Sequence, residues 1–133
     1  MTFDELARAT PSPIRARAAS VSVTYEGMTD VSKVGPVHVF VASGEDNYLV
    51  WVGLKKDGRN VICNCSCPYF MYNLEVAMAS RGASVVLHSN GAPPVVRNPG
   101  RSCYLCKHLY KVWKDYRDLV LEVPGMEEEV EEI

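Results

Sequence analysis

Alternating hydrophobic and polar positions dominate the first half of the chain. The period is two over residues 21–25 and again over 37–42, which is typical of strands that bury one face. Two further apolar runs, 48–54 and 61–67, follow short polar turns. The turn between them contains Asp57-Gly58, a pair that accepts the positive φ angles of a tight hairpin. The pattern predicts an antiparallel meander of four strands.

Apolar residues change to helical spacing in the second half. One such stretch predicts a helix that begins at Pro68, a residue suited to a first helical turn, and ends at Gly82. A longer stripe predicts a final helix that is capped by Ser102 and ended by Pro124-Gly125. We therefore expect an α+β fold in which the meander packs against two helices.

The length of 133 residues and a hydrophobic content of 47% fit a single domain. We expect residues 1–13 to form an N-terminal arm with one helical turn and residues 14–125 to form the domain. Between the two helices, 83–89 is predicted as a short strand and 92–101 as a loop. Residues 126–133 are an acidic tail with five of the 16 acidic residues.

Cysteine and histidine occur as two alternate-residue pairs. Cys65 and Cys67 share one face of the last predicted strand, and Cys106 and His108 lie in the last predicted helix. Three thiols and one imidazole make a complete ligand set for tetrahedral zinc, and a site closed by four side chains has no position for a substrate. The pattern favours a structural zinc. A thiol nucleophile, Cys106 or Cys103 with His108 as its base, is disfavoured because no orienting motif accompanies it.

The residues around both pairs resemble the SWIM-type zinc domain. They look like the CSCP-x-F and CKH-[LI] strings of that family: Cys65-Ser66-Cys67-Pro68-Tyr69-Phe70 and Cys106-Lys107-His108-Leu109. The resemblance covers about residues 60–120. It implies one zinc ion held by Cys65, Cys67, Cys106 and His108, and binding to DNA or to proteins.

The interval between the two pairs departs from the family pattern. Typical members keep it short, whereas 38 residues separate Cys67 from Cys106 here. The inserted segment, residues 68–102, resembles SWIM-type proteins encoded by tailed bacteriophages. That resemblance implies a viral or assembly role.

Two further cysteines lie close to the ligand pairs in sequence. Cys63 precedes Cys65 by two residues, and Cys103-x-x-Cys106 has a common zinc-binding spacing. Cys63 and Cys103 are therefore candidates for alternate ligands or for a disulfide. Burial as unreactive thiols is the simpler interpretation, because free cysteine is commonly buried.

The net charge of −2 conceals a basic stretch beside the second pair. Residues 97–114 contain five basic side chains and no acidic one. They are Arg97, Arg101, Lys107, Lys111 and Lys114. Such a stripe is typical of a surface that binds polyanions, although a solvated helix face has the same appearance.

Two functions remain as hypotheses. The first is a non-enzymatic, zinc-stabilised interaction module, a small component of a larger, phage-type assembly that contacts other proteins. The alternative is an accessory protein that binds DNA or RNA through the basic stripe. Apolar runs are shorter than the ~18 residues of a membrane span, and the N-terminus lacks a signal peptide. We expect the protein to be cytoplasmic at synthesis, which for a viral protein means the host cytoplasm or the virion. We expect it neither to bind a membrane nor to act on a small-molecule substrate.

Overall fold

A computed structural model describes residues 1–91 and 97–122 of the chain. Four strands form one antiparallel sheet in the order β1-β2-β3-β4, which confirms the predicted meander. They are β1 (Ser22–Val31), β2 (Gly35–Ser43), β3 (Asn47–Leu54) and β4 (Val61–Cys65). The first strand is longer than predicted and carries a bulge at Gly27, whose φ of +105° suits glycine.

Helices lie before and after the sheet in sequence. They are α1 (Phe3–Ala9), α2 (Ser12–Ala18), α3 (Glu75–Ser80) and α4 (Lys107–Leu121), with a π-helical turn, Phe70–Leu74, directly before α3. The longest, α4, packs against all four strands. Its side chains Leu109 and Val112 are fully buried, as are Phe40, Val50 and Val52 of the sheet. Each such side chain contributes about 1.5–3 kcal/mol by leaving water, so this interface forms the centre of the core.

The N-terminal residues differ from the predicted arm, because they form two helices rather than one turn. Thr2 and Glu5 exchange hydrogen bonds in a capping box that begins α1. The side chains of Phe3 and Leu6 are fully buried in the main core. The prolines that end α1 also suit the first turn of α2, so they separate two helices rather than ending helical structure.

The inserted segment matches its prediction only in part. Its helix begins at Pro68, as predicted, continues through the π-helical turn into α3, and is ended by Gly82, with a φ of +73°, as expected. Residues 83–89, predicted as a strand, contain no strand; a single backbone bond joins the N–H of Cys63 to the carbonyl of Ala83. Half of the predicted 92–101 loop, residues 92–96, lies outside the described residues.

The final helix begins four residues later than predicted, with Cys106 rather than Ser102 as its N-cap. Residues 102–106 lie outside any helix, and the Asn98 side chain accepts a hydrogen bond from the N–H of Ser102. The helix starts at Lys107 and ends at Leu121. The predicted stop at 124–125 and the acidic tail lie outside the described residues. No helix in the described part of the chain is both long and apolar enough to cross a membrane.

Candidate metal centre

The first cysteine pair lies where the last strand of the sheet ends. Cys65 closes β4, and Ser66 continues its pairing with Leu49 of β3 through backbone and side-chain bonds of 3.0 and 2.9 Å. Alternation along this extended segment places Cys65 and Cys67 on one face. The backbone N–H of Phe70 donates to the Cys67 sulfur at 3.3 Å, so the following turn also fixes this thiol.

The second pair lies at the start of α4. Cys106 is the N-cap residue in extended conformation, and His108 belongs to the first helical turn. The N–H of Leu105 donates to the hydroxyl of buried Thr10 at 3.0 Å, which ties the approach to the helix to the end of α1. The His108 ring packs against the ring of Tyr48 at 5.0 Å between centroids. Contacts from α1 and β3 therefore orient both residues.

Four side-chain atoms from these pairs converge on one point. The sulfurs of Cys65, Cys67 and Cys106 and a ring nitrogen of His108 all lie within 4.8 Å of one another. The Cys65 sulfur is 3.7 Å from Nδ1 of His108. A tetrahedral ion with ordinary bond lengths separates its ligands by about 3.5–3.8 Å. The group is buried and can hold one metal ion, the four residues being those that the sequence motifs indicate.

The pKa values of the three thiols differ because of burial and because of hydrogen bonds among them. Burial raises the pKa of Cys65 and of Cys106 well above the ordinary value. Hydrogen bonds from Cys106 and Cys65 instead lower the pKa of Cys67. A metal that binds all three as thiolates must displace the remaining protons.

The two additional cysteines lie outside this group of four. Both are buried, and all five cysteines of the chain are free thiols in the structure. Burial raises the pKa of Cys63 to about 12, and burial also raises that of Cys103. The Cys103 thiol donates to the carbonyl of Ala77 at 3.5 Å. These environments suit thiols that stay protonated and unreactive.

The basic residues beside the metal centre differ in exposure. Lys107, Lys111 and Lys114 follow one another at i, i+4 and i+7 along α4, with Lys114 exposed and the other two half-buried. Lys111 forms an ion pair with Asp115 at 3.3 Å. The exposed Arg97 places its guanidinium 5.3 Å from the centre of the Tyr72 ring, and Arg101 is exposed. Whether the stripe binds polyanions stays a prediction.

One buried carboxylate holds the inserted segment against the sheet. Glu75 is fully buried and accepts hydrogen bonds from the backbone N–H groups of His88 and Ser89. It also accepts one from the side chain of Asn64 at 2.9 Å. Burial would raise the pKa of Glu75, but these bonds together lower it. Asn64 lies on β4 between two cysteines, so the insertion is tied to the strand that leads to the metal centre.

Two side chains near the centre come from sequence regions that the motifs do not mark. Arg17 of α2 and Tyr48 of β3 line a pocket next to Cys67 and His108, together with Tyr69 of the first motif string. Arg17 is separated from the metal-binding cysteines by about 50 and 90 residues of sequence. No local spacing links these positions, and only the packing of α2 against α4 brings them together.

No protein-family model, curated protein or solved structure matches this chain. The SWIM assignment therefore stays a prediction that depends on the motif strings. The group of four side chains and its geometry stand independently of that assignment.

Proposed function

We propose that the protein is a zinc-stabilised interaction domain of the SWIM type and not an enzyme. The observation that carries this proposal is the closed donor set: three sulfurs and one imidazole nitrogen, all on buried residues, within 4.8 Å of one another. Soft thiolates with imidazole favour zinc over hard oxygen-loving cations. Four protein ligands complete a tetrahedron, so the ion joins β4 to α4 and has no open position for a substrate.

The inserted segment supports a role in binding another protein. It carries large apolar side chains that face solvent: Tyr72 is 53% exposed, Val86 43% and Leu87 52%. The buried Glu75 fixes the backbone next to two of these positions. Exposed apolar groups on a well-anchored segment are typical of contact surfaces. The partner that we propose is another protein of a larger assembly, of the kind that bacteriophages build.

Site-specific photocrosslinking tests this proposal. A photoreactive amino acid is placed at Tyr72 or Leu87, and at Met28 as the matched control, because Met28 is 56% exposed and lies on β1, the edge of the sheet opposite β4. In cells that express the protein naturally, we expect one discrete protein adduct from positions 72 and 87 and none from 28, identified by mass spectrometry. Equal labelling at all three positions, or no protein adduct at 72 and 87, would contradict the proposal.

A second candidate function, binding of nucleic acid, is favoured by one specific observation. Arg17 of α2 lines the same pocket as Lys107 of α4, which adds a cation to the predicted basic stripe. If the stripe contacts phosphates, affinity falls steeply with rising salt. Replacing Lys107, Lys111 and Lys114 by glutamine should lower the slope of that dependence by about two to three. Absence of binding to single- and double-stranded probes at low salt would exclude this function.

A further inference from the structure

A pocket of about 200 Å³ opens beside the metal centre. Its base is formed by Cys67, Cys106 and His108, and its walls come from four different parts of the chain. The wall residues are Ile14, Arg17, Tyr48, Pro68, Tyr69 and Lys107. A cavity of this kind, mostly apolar and aromatic with a few polar groups, is the usual form of a small-ligand site.

The two cations in the wall are free to meet an anion. Arg17 is exposed and Lys107 is half-buried. Neither forms an ion pair with any described residue, whereas Lys111, one turn further along α4, is paired with Asp115. Two unpaired cations on different helices converge on one pocket, which favours a doubly coordinated oxyanion such as a phosphate.

The aromatic side of the pocket is held in place before any ligand arrives. The hydroxyl groups of Tyr69 and Tyr104 form a hydrogen bond of 2.8 Å, and the Tyr69 side chain remains 37% exposed. Tyr48 is fixed by its contact with the His108 ring. A partly exposed ring with a tethered hydroxyl offers a face for a flat ligand at little further entropic cost.

We propose that this pocket binds a nucleotide, with its phosphate between Arg17 and Lys107 and its base against Tyr69. A carboxylate side chain from an acidic protein would occupy the cationic side alone and leave the aromatic wall uncovered, so the combination favours a nucleotide. The inference deepens the second candidate function, since it rests on the same basic surface. The nucleotide is either free or a unit of a single strand.

Titration of the metal-loaded protein with adenosine monophosphate, followed by amide NMR, tests the proposal. We expect shifts of Lys107 and Tyr69, with Arg17→Gln weakening the affinity about tenfold through loss of a charge-assisted bond. Lys56→Gln removes one positive charge from an exposed turn outside both the pocket and the basic stripe, and it should change the affinity less than twofold. Adenosine, which lacks the phosphate, should bind more weakly than the monophosphate.

A short single-stranded oligonucleotide, titrated in parallel, separates the two sources of the nucleotide. Binding of the monophosphate supports a free nucleotide as the ligand. Binding of the oligonucleotide alone supports a single strand as the ligand, provided that Arg17→Gln weakens that binding. If neither probe shifts the pocket, or an acidic peptide does so instead, the inference is overturned. Oligonucleotide binding that depends on Lys107, Lys111 and Lys114 but not on Arg17 would overturn the pocket proposal and leave the second candidate function intact.

Discussion

The first turn of α4 and its later turns are both fixed to distant parts of the chain, but by different chemistry. At the first turn, Cys106 and His108 converge with the cysteines at the end of β4. Later in the helix, the Asp4 carboxylate of α1 accepts hydrogen bonds from Trp113 at 2.8 Å and from Arg117 at 2.6 and 2.7 Å. One connection can be made through an ion, and the other is a direct ion pair.

The two connections differ in their exposure to solvent and therefore in how much the fold loses when each is broken. The cluster of four is buried, whereas the side chains of Arg117 and Asp4 are 42% and 32% exposed. Buried thiolates need the cation to offset their mutual repulsion, so loss of the ion removes the whole connection at once. A partly exposed ion pair is screened by water and salt, and its loss is tolerated. The later turns are in addition supported by rings of Tyr116 and Phe40, with centroids 5.1 Å apart.

Removal of the metal is expected to have the largest effect. Structural zinc contributes about 10–16 kcal/mol in small peptides, which matches or exceeds the ~5–15 kcal/mol net stability of a domain. Chelation should therefore unfold at least residues 60–120, and Cys106→Ser should give protease-sensitive protein. Cys103→Ser is the matched control, because Cys103 lies outside the cluster. Circular dichroism and limited proteolysis measure the outcome; a normal melting curve for Cys106→Ser would count against the account.

A core substitution beside the later turns should have the next largest effect. Phe40 is fully buried and contacts the rings of both Tyr25 and Tyr116. Phe40→Ala should lower the free energy of unfolding by about 3–5 kcal/mol without releasing the metal. Met28→Ala, at a position 56% exposed, should lower it by less than about 0.5 kcal/mol. Urea unfolding with metal analysis of the folded fraction tests both; metal loss from folded Phe40→Ala would show that the two regions are not independent.

Breaking the ion pair itself should cost less. Asp4→Asn removes the charge that faces Arg117, and solvent screening limits the loss to about 1 kcal/mol. Asp118→Asn is a suitable control, since its side chain contacts the same arginine but is 98% exposed. We expect no measurable change in urea midpoint for the control. Equal effects of the two variants would mean that the link between α1 and α4 does not stabilise the fold.

The pH dependence of the ion pair gives the smallest expected signal. Hydrogen bonds from Arg117 and Trp113 lower the pKa of Asp4 to about 2, from an ordinary value of 3.8. A carboxylate whose pKa is lowered by folding stabilises the fold at pH values above its unfolded-state pKa. That contribution disappears as the pH falls through its folded-state pKa. The difference in unfolding free energy between wild type and Asp4→Asn should be constant above pH 5 and shrink below pH 4. A difference that grows on acidification would contradict this assignment.

The sheet and the ligand pairs could be predicted because their signals are local. Alternation of period two marks the first two strands and apolar runs mark the other two. Asp57-Gly58 marks a hairpin, and the spacing of Cys65 and Cys67 places both thiols on one face. The structure also brings the second pair to the first. That convergence is not visible in spacing; it was predicted because the two pairs together make a complete zinc ligand set, and the motif strings added a resemblance to a known domain.

The errors concern positions that distant contacts determine. Ser102 has the chemistry of a helix cap, but the Asn98 side chain and the bond from Leu105 to Thr10, 95 residues away in sequence, hold this stretch outside the helix. An arm with one helical turn was expected over residues 1–13, yet burial of Phe3 and Leu6 in the core stabilises a complete helix there. Local propensity was overridden by packing in both cases. Arg17 beside the metal centre had no local signal at all.

Metal content measured by native mass spectrometry, on protein purified without added zinc, tests the central claim most directly. The account predicts one zinc ion per chain in the wild type and none in any Cys67→Ser protein that can be recovered. A folded wild-type protein whose mass contains no metal ion would contradict it.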